Sequence, residues 1–303
     1  MIKIKTMIII IILITFNIPI PSMASEETDY LTEMKQDILT LMLAYPEYIV
    51  RVEKKSDNKV YCIMKSGTKI LYDDKVKKNN EEKLSNPDLQ DILEQKYPLN
   101  KVNGLMEKSF DPGRARSYDI LNEVYGSSKK TIEKNLIALK CGYTNYQFNK
   151  NNSANTSLEA ALNEVIPLSK NRSDIASILY PASGTYNYRV ISGTGRLSPH
   201  SYGIAIDLKS DKRDYWKWSS EEQGNKRILE YPNELVEAFE KNNFVWGGKW
   251  GHFDILHFEY RPEIILKAKY FGNWKSDNNW YDGAPINDEN TQKYINLIEE
   301  ELK

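Results

Sequence analysis

"SPHSYGIAIDL" occupies Ser198–Leu208. Period-2 alternation over Gly203–Leu208 predicts a short strand with Ile204, Ile206 and Leu208 on one face and Gly203, Ala205 and Asp207 on the other. The second face is small, small, carboxylate. A strand that needed only burial would fill that face, whereas one that leaves room beside a carboxylate can host an ion and its substrate. His200 stands at the mouth of this strand, and the chain's three histidines, His200, His252 and His257, all fall between residues 200 and 257. Taken alone, Asp207 fits equally well as a residue that caps a neighbouring turn.

A second stretch, "GHFDILHFEY" (Gly251–Tyr260), shifts that balance. Along a strand over Ile255–Tyr260, His257 and Glu259 share one face, and Leu256 and Phe258 point toward the core. Asp254 has the opposite parity to His257 and is expected in the turn that leads into the strand. Together the two stretches supply two imidazoles and a carboxylate as ligands, with a further carboxylate alongside. Two histidines and one carboxylate leave a coordination position open, which is the arrangement of catalytic zinc, and zinc makes a water nucleophile available near neutral pH. The additional carboxylate suits proton transfer from that water to a leaving amine.

Around these stretches the elements are short strands mixed with helices, without regular βαβ alternation. The expected fold class is α+β, with a mostly antiparallel small sheet flanked by helices and an N-terminal accessory region. Helices are expected over Glu26–Tyr45, Ser157–Leu168, the "ELVEAFEKN" segment capped by Pro232-Asn233, and Asn290–Leu302. Lys59–Tyr72 reads as a hairpin about Ser66-Gly67, and Tyr188–Ile191 and Phe244–Trp246 read as strands. Lys75–Lys83 reads as a charged connector, Asn86-Pro87 as a helix start, Asp111–Gly126 as a turn that becomes helical, and the polar Lys150–Ser157 as a linker. The expected division is a leader over 1–24, an accessory region over 25–150, the metal-bearing domain over 151–275, and a tail with a closing helix over 276–303.

The totals agree with an ordinary globular chain. Of its 303 residues, 41% are hydrophobic, enough for a core. Lys and Arg number 41 against 42 Asp and Glu with no basic stripe, which argues against nucleic acid as a partner. Lys3 and Lys5, the apolar run Met7–Phe16, Pro19 and Pro21, and the small residues of Ser22-Met23-Ala24 read as a secretory signal peptide. The apolar run is shorter than the roughly 20 residues a spanning helix needs. The working protein is thus expected outside the cytoplasm, secreted or in the cell envelope, as a monomer without stable membrane insertion. Export permits a disulfide between Cys62 and Cys141, and two buried thiols fit the sequence as well.

The Ser198–Asp207 stretch resembles the Ser-x-His-x-x-Gly-x-Ala-x-Asp motif of the zinc D-alanyl-D-alanine carboxypeptidases and L-alanyl-D-glutamate peptidases, the VanY-type cell-wall peptidases that share a fold with the Hedgehog signalling domain. "DILHFE" resembles their second motif, an acidic residue three before a histidine. The resemblance spans roughly Ser157 to Tyr270, and "DPGRARSYDILNEVYG" is similar to the upstream part of some bacterial members. It implies Zn2+ held by His200, Asp207 and His257, Asp254 as general base, and peptidoglycan stem peptides as substrate. It also implies an arginine that polarises the scissile carbonyl. Arg189, ahead of the Gly-Thr turn, is the preferred residue, and Arg196 in the turn is the alternative. The base is an aspartate here, where the carboxypeptidase and dipeptidase branches often carry glutamate; the bond cut, D-Ala-D-Ala or L-Ala-D-Glu, stays open.

Further residues are assigned to the surroundings of the site. Ser198 belongs to the first motif. Glu259 either orients His257 or pairs with Arg261. His252 either bonds the reaction intermediate or lies on the rim. Trp250, with Tyr215, Trp216, Trp218 and Trp246, either lines a peptide groove or belongs to the core. Two other functions compete: a non-haem iron oxygenase, whose triad also has two histidines and a carboxylate, and a non-catalytic metal-containing cell-wall-binding module. Asp254 separates the last from a peptidase, because a pure binder needs no base.

Overall fold

The computed structural model describes residues 23–141 and 144–303, with side chains from residue 28 onward. The leader expected over 1–24 lies outside the described residues except for its last two positions, which are already helical. No helix among the described residues is long and apolar enough to cross a membrane.

Helix α1 (Met23–Ala44) leads into a three-stranded antiparallel sheet of β1 (Ile49–Lys54), β2 (Val60–Met64) and β3 (Lys69–Leu71). The predicted hairpin is β2–β3, turning at Gly67, whose φ of 94° suits glycine. The segment read as a charged connector contains α2 (Asn80–Ser85), started by a capping box between Asn79 and Glu82. Asn86 closes that helix instead of opening the next, and Asp88 caps α3 (Leu89–Leu93). Helices α4 (Tyr118–Tyr125) and α5 (Lys129–Glu133) precede a hairpin of β4 (Leu136–Cys141) and β5 (Thr144–Asn149).

Then come α6 (Ala154–Ser169), with Leu158, Ala161, Leu162 and Val165 buried as its periodicity predicts, and α7 (Ser173–Leu179). The strand expected over Tyr188–Ile191 is reduced to a single bridge between Val190 and Leu197, because Gly193 and Gly195 turn the chain back with left-handed φ values. A helical turn, α8 (Pro199–Tyr202), precedes β6 (Ala205–Asp207). Helices α9 (Glu221–Glu230) and α10 (Asn233–Lys241) lead to β7 (Phe244–Trp246) and β8 (His257–Tyr260), and α11 (Pro262–Phe271) and α12 (Glu289–Glu301) close the chain. The class is α+β with antiparallel pairing throughout the described sheets, as expected.

One sheet positions the site. Its order is β6-β8-β7, so β8 is central and receives both neighbours antiparallel. Behind it Phe258 stacks on Phe239 at 4.3 Å between ring centres, and Phe239 meets Phe244 edge-on at 5.5 Å. These contacts hold β8 rigidly from its core side. One buried cluster runs from Met34 to Leu302 and crosses residue 150. The stretch read as a linker is a hydrogen-bonded junction. The buried Asn149 side chain donates to the carbonyls of Tyr125 and Tyr202, Asn151 donates to Val124, and Asn152 donates to Ala44. Cys62 and Cys141 are both free and buried in different sheets, so no disulfide joins them.

Gly203 ends α8 with φ 68° and ψ 36°, and its carbonyl accepts from the Asn149 amide at 2.8 Å. A Cβ there would lie 2.5 Å from Leu136 Cδ2 and 3.2 Å from the Asn149 nitrogen. Left-handed backbone and crowding both oppose a side chain. Gly203→Ala is expected to cost roughly 2 kcal/mol, read as a lower denaturation midpoint; an unchanged midpoint would show that the turn is not held in this conformation.

Candidate metal centre and active site

The register of β6 on β8 places Asp207 directly opposite His257, Ile206 opposite Phe258 and Ala205 opposite Glu259. Directly opposed side chains on one face of a sheet lie about 5 Å apart at Cβ, so Asp207 and His257 meet by strand pairing alone. His257 Nδ1 lies 2.9 Å from Asp207 Oδ1. His200 reaches the same point from α8: its Nε2 is 3.2 Å from His257 Nδ1 and 3.2 Å from Asp207 Oδ1. Its other nitrogen, Nδ1, donates to the Thr185 carbonyl at 2.6 Å. That bond fixes the tautomer and leaves the Nε2 lone pair facing the triangle.

The triangle fits a tetrahedral cation. Ligands at about 2.0–2.1 Å from zinc lie roughly 3.3 Å from one another, close to the three separations here. The charges agree with the geometry. Burial pushes His257 down, but the carboxylates of Asp207 and Glu259 outweigh it and hold the imidazole up at about 10. Burial pushes Asp207 up, but His200 and His257 outweigh it and keep the carboxylate ionised, well below its usual range. The cluster therefore demands positive charge, supplied by a proton or by a divalent ion that displaces it. The three atoms expected as ligands are thus brought together, both imidazoles buried and Asp207 partly open to solvent.

Behind His257 lies Glu259, with no exposed surface. Its Oε2 is 3.6 Å from His257 Nε2. Arg116 grips it with a fork, Nε to Oε1 at 2.7 Å and Nη2 to Oε2 at 2.5 Å, and Arg261 Nη1 approaches at 3.5 Å. Burial pushes Glu259 up, yet Arg116 beside it holds the carboxyl well below the ordinary range. Glu259 thus backs His257 and also pairs with arginine, and its opposite neighbour Ala205 leaves it space. The small face read in the sequence accommodates this carboxylate as well as the ligand cluster.

Asp254 sits where the parity argument places it, in the turn before β8, with its carbonyl accepting from the His257 amide at 3.0 Å. Its backbone is clamped by Gly247 on one side and bridged to Tyr215 on the other. A side chain at Gly247 would put a Cβ 2.3 Å from the Asp254 carbonyl oxygen, so the glycine is required for this approach. Burial, reinforced by the charges of Asp207 and Asp214, raises Asp254 to about 6 despite the nearby imidazoles. A carboxylate poised near the operating pH can take and return a proton.

The two arginines differ. Arg189 is tied to α8 through its backbone, its amide donating to Ser201 Oγ at 2.8 Å and its carbonyl accepting from Ser201 Oγ and the Ser198 amide. Its side chain is exposed. Arg196 is half-buried, and burial together with the charges of Arg116 and Arg114 pulls it below the usual arginine value. Ser198 is buried at the start of α8. His252 donates from Nδ1 to Asp111 at 2.7 Å and meets the Trp216 ring edge-on at 4.6 Å, on the rim and partly exposed. The five aromatics do not share one surface. Trp246 and Trp250 are buried, and Trp250 packs 5.7 Å from the His257 ring while donating to the Pro112 carbonyl. Trp250 therefore packs behind His257 and lines no open groove. Trp218 is exposed, with Tyr215 against it at 5.0 Å.

Sequence reasoning did not single out Arg116, Asp111 or Thr185. Arg116 and Asp111 lie in "DPGRAR", which the motif resemblance touched but to which it gave no role. Thr185 acts through its backbone and carries no side-chain signal.

No curated protein and no solved structure matches the chain. Residues 192–260 match the family model described as D-alanyl-D-alanine carboxypeptidase, and this stretch holds all three converging ligands, Asp254 and Glu259. The segment that builds the site is thus similar to the D-alanyl-D-alanine carboxypeptidases, the family that its two motifs resemble.

Proposed function

We propose that the protein is an exported zinc-dependent peptidase that hydrolyses peptide bonds of the peptidoglycan stem peptide, as a D-Ala-D-Ala carboxypeptidase or an L-Ala-D-Glu endopeptidase. The observation that carries this reading is the triangle of His200 Nε2, Asp207 Oδ1 and His257 Nδ1, with edges of 2.9–3.2 Å, next to a turn that carries a carboxylate raised to about 6. Zinc held by those three atoms supplies a Lewis acid that lowers the pKa of water to about 7.

The protein's own groups do the rest. Asp254 takes a proton from the attacking water and returns it to the leaving nitrogen, so the C–N bond breaks to a free amine and a carboxylate. Arg189, the preferred carbonyl-polarising residue, has no ion-pair partner among the described residues, as a group reserved for substrate requires. Arg196 shares that property and stays the alternative. The 200–257 fold holds the ligands before substrate arrives, so little reorganisation is left to the reaction.

Purified protein loaded with zinc and incubated with muropeptides should release either a terminal alanine or a stem peptide cut next to the sugar-linked alanine, with mass spectrometry separating the two. A chelator should stop the release and added zinc restore it. Zinc-loaded protein that binds muropeptides and cuts none would favour the non-catalytic wall-binding module.

A further inference from the structure

The family-matched segment contains a carboxylate that it does not neutralise by itself. Glu259 has no exposed surface and one residue between it and the ligand His257. A buried, ionised carboxylate without a partner costs several kcal/mol, and the nearest imidazole nitrogen, at 3.6 Å, is beyond a normal hydrogen bond. Arg261, one residue past the segment, comes within 3.5 Å of Glu259, but its hydrogen bonds go elsewhere. Its Nε bonds Glu263 at 2.6 Å, and its remaining nitrogens serve the carbonyls of Gly113 and Ala115.

The partner that satisfies both oxygens of Glu259 is Arg116, which is 143 residues upstream. Arg116 is itself buried, and its Nη1 donates to the Arg114 carbonyl at 2.8 Å. The segment that carries it is stitched along the site. Trp250 Nε1 donates to the Pro112 carbonyl, the Gly251 amide to Phe110, and the His252 amide to Asp111. A planar fork on a carboxylate fixes its position and plane, which a single point charge does not. Fixing Glu259 fixes what faces His257 Nε2. A fixed negative charge 3.6 Å from Nε2 favours the proton on that nitrogen and leaves the Nδ1 lone pair for the triangle.

We propose that Arg116 is a positioning residue of the metal centre, holding Glu259 so that His257 offers Nδ1 to the ion; the proposal rests on the zinc reading above. The upstream region then completes the site and is more than an appendage to it. A purely structural ion pair would make a different prediction, because it would affect stability without tuning the ligand.

The test uses the full chain, stripped of metal and titrated with zinc against a chromophoric chelator, and with Co2+ followed by its visible absorption. Arg116→Gln should weaken zinc binding by about 10–100-fold and alter the cobalt spectrum, and Arg116→Lys should recover only part of the loss because the fork is gone. Lys267→Met is the control. It breaks another buried ion pair of the same core, with Asp37 at 2.6 Å, and should lower the denaturation midpoint with the zinc affinity and cobalt spectrum unchanged. If Arg116→Gln does not fold, the double variant Arg116→Met/Glu259→Gln removes both charges and keeps the packing; it should show the same loss of zinc affinity. Wild type that binds zinc, with the folded Arg116 variants indistinguishable from it, overturns this proposal alone. Wild type that binds neither ion overturns the metal reading and the proposal with it.

Discussion

His257→Ala is expected to leave a chain that retains no zinc after dialysis and cuts muropeptides at least about 10³-fold more slowly. A catalytic zinc contributes several kcal/mol to transition-state stabilisation, and each 1.4 kcal/mol is tenfold in rate. His257 is the hub of the triangle. It touches Asp207 at 2.9 Å and His200 at 3.2 Å, lies on the central strand of its sheet, and is backed by Glu259 and Trp250. Removing the ring leaves two ligands, which hold zinc far more weakly than three. His200→Ala should behave alike, and elemental analysis beside the rate assay checks both. A variant at either position that kept stoichiometric zinc and full cleavage would mean that the ion, if any, binds elsewhere.

Asp254→Asn should separate chemistry from metal binding. The amide keeps the shape and the backbone clamp of Gly247 and Tyr215, and the three ligand atoms are untouched. Zinc content should stay at the wild-type level while cleavage falls by about 10²–10⁴-fold, the usual share of a positioned base. In the zinc-loaded wild type the rate should fall on the acid side as protons occupy the acceptor, at a pH below the value of about 6 that holds for the metal-free protein, because the ion's charge favours the carboxylate. The stability effect has the opposite sign to the activity effect. Asp254 is raised above its ordinary value by burial, so its ionised form is disfavoured in the folded state. The stability associated with its protonated form is present at low pH and lost as pH rises through about 6. In metal-free protein near pH 7.5, Asp254→Asn should therefore raise the denaturation midpoint, and the gain should vanish near pH 4. Retained cleavage in a zinc-loaded Asp254→Asn protein would remove this residue from the mechanism.

The site was more legible than the scaffold because its residues are rare and their spacing is short-range. Three histidines cannot be scattered by chance into core positions as leucines can, and alternation along a strand fixes which of them share a face. The convergence of Asp207 and His257 follows from one cross-strand pair. The helix faces of α6 and α10 followed from periodicity for the same local reason. Long-range pairing was not legible. Arg116 and Glu259 are one arginine and one glutamate among many, and nothing in their spacing joins them. Local signals were also misweighed. Asn79 and Glu82 form a capping box inside a run that reads as solvated charge, and the alternation of β4 and β5 was passed over. Over Lys150–Ser157 a polar composition suggests slack chain, whereas the amides of Asn151 and Asn152, and of Asn149 just before them, each have a backbone carbonyl to satisfy. Composition distinguishes polar from apolar; it does not distinguish water from protein as the partner.

That knot of asparagines bears on how this chain can be recombined or trimmed. A cut just before residue 151 would part Asn151 and Asn152 from the carbonyls of Val124 and Ala44 and Asn149 from that of Tyr202, and would strip a buried glutamate of its guanidinium in the same stroke. Grafting the segment that bears the family signature onto another protein would transplant the ligands without the frame that aims them. The smallest portable unit is therefore larger than the signature, because it must include the upstream residues that bond to it.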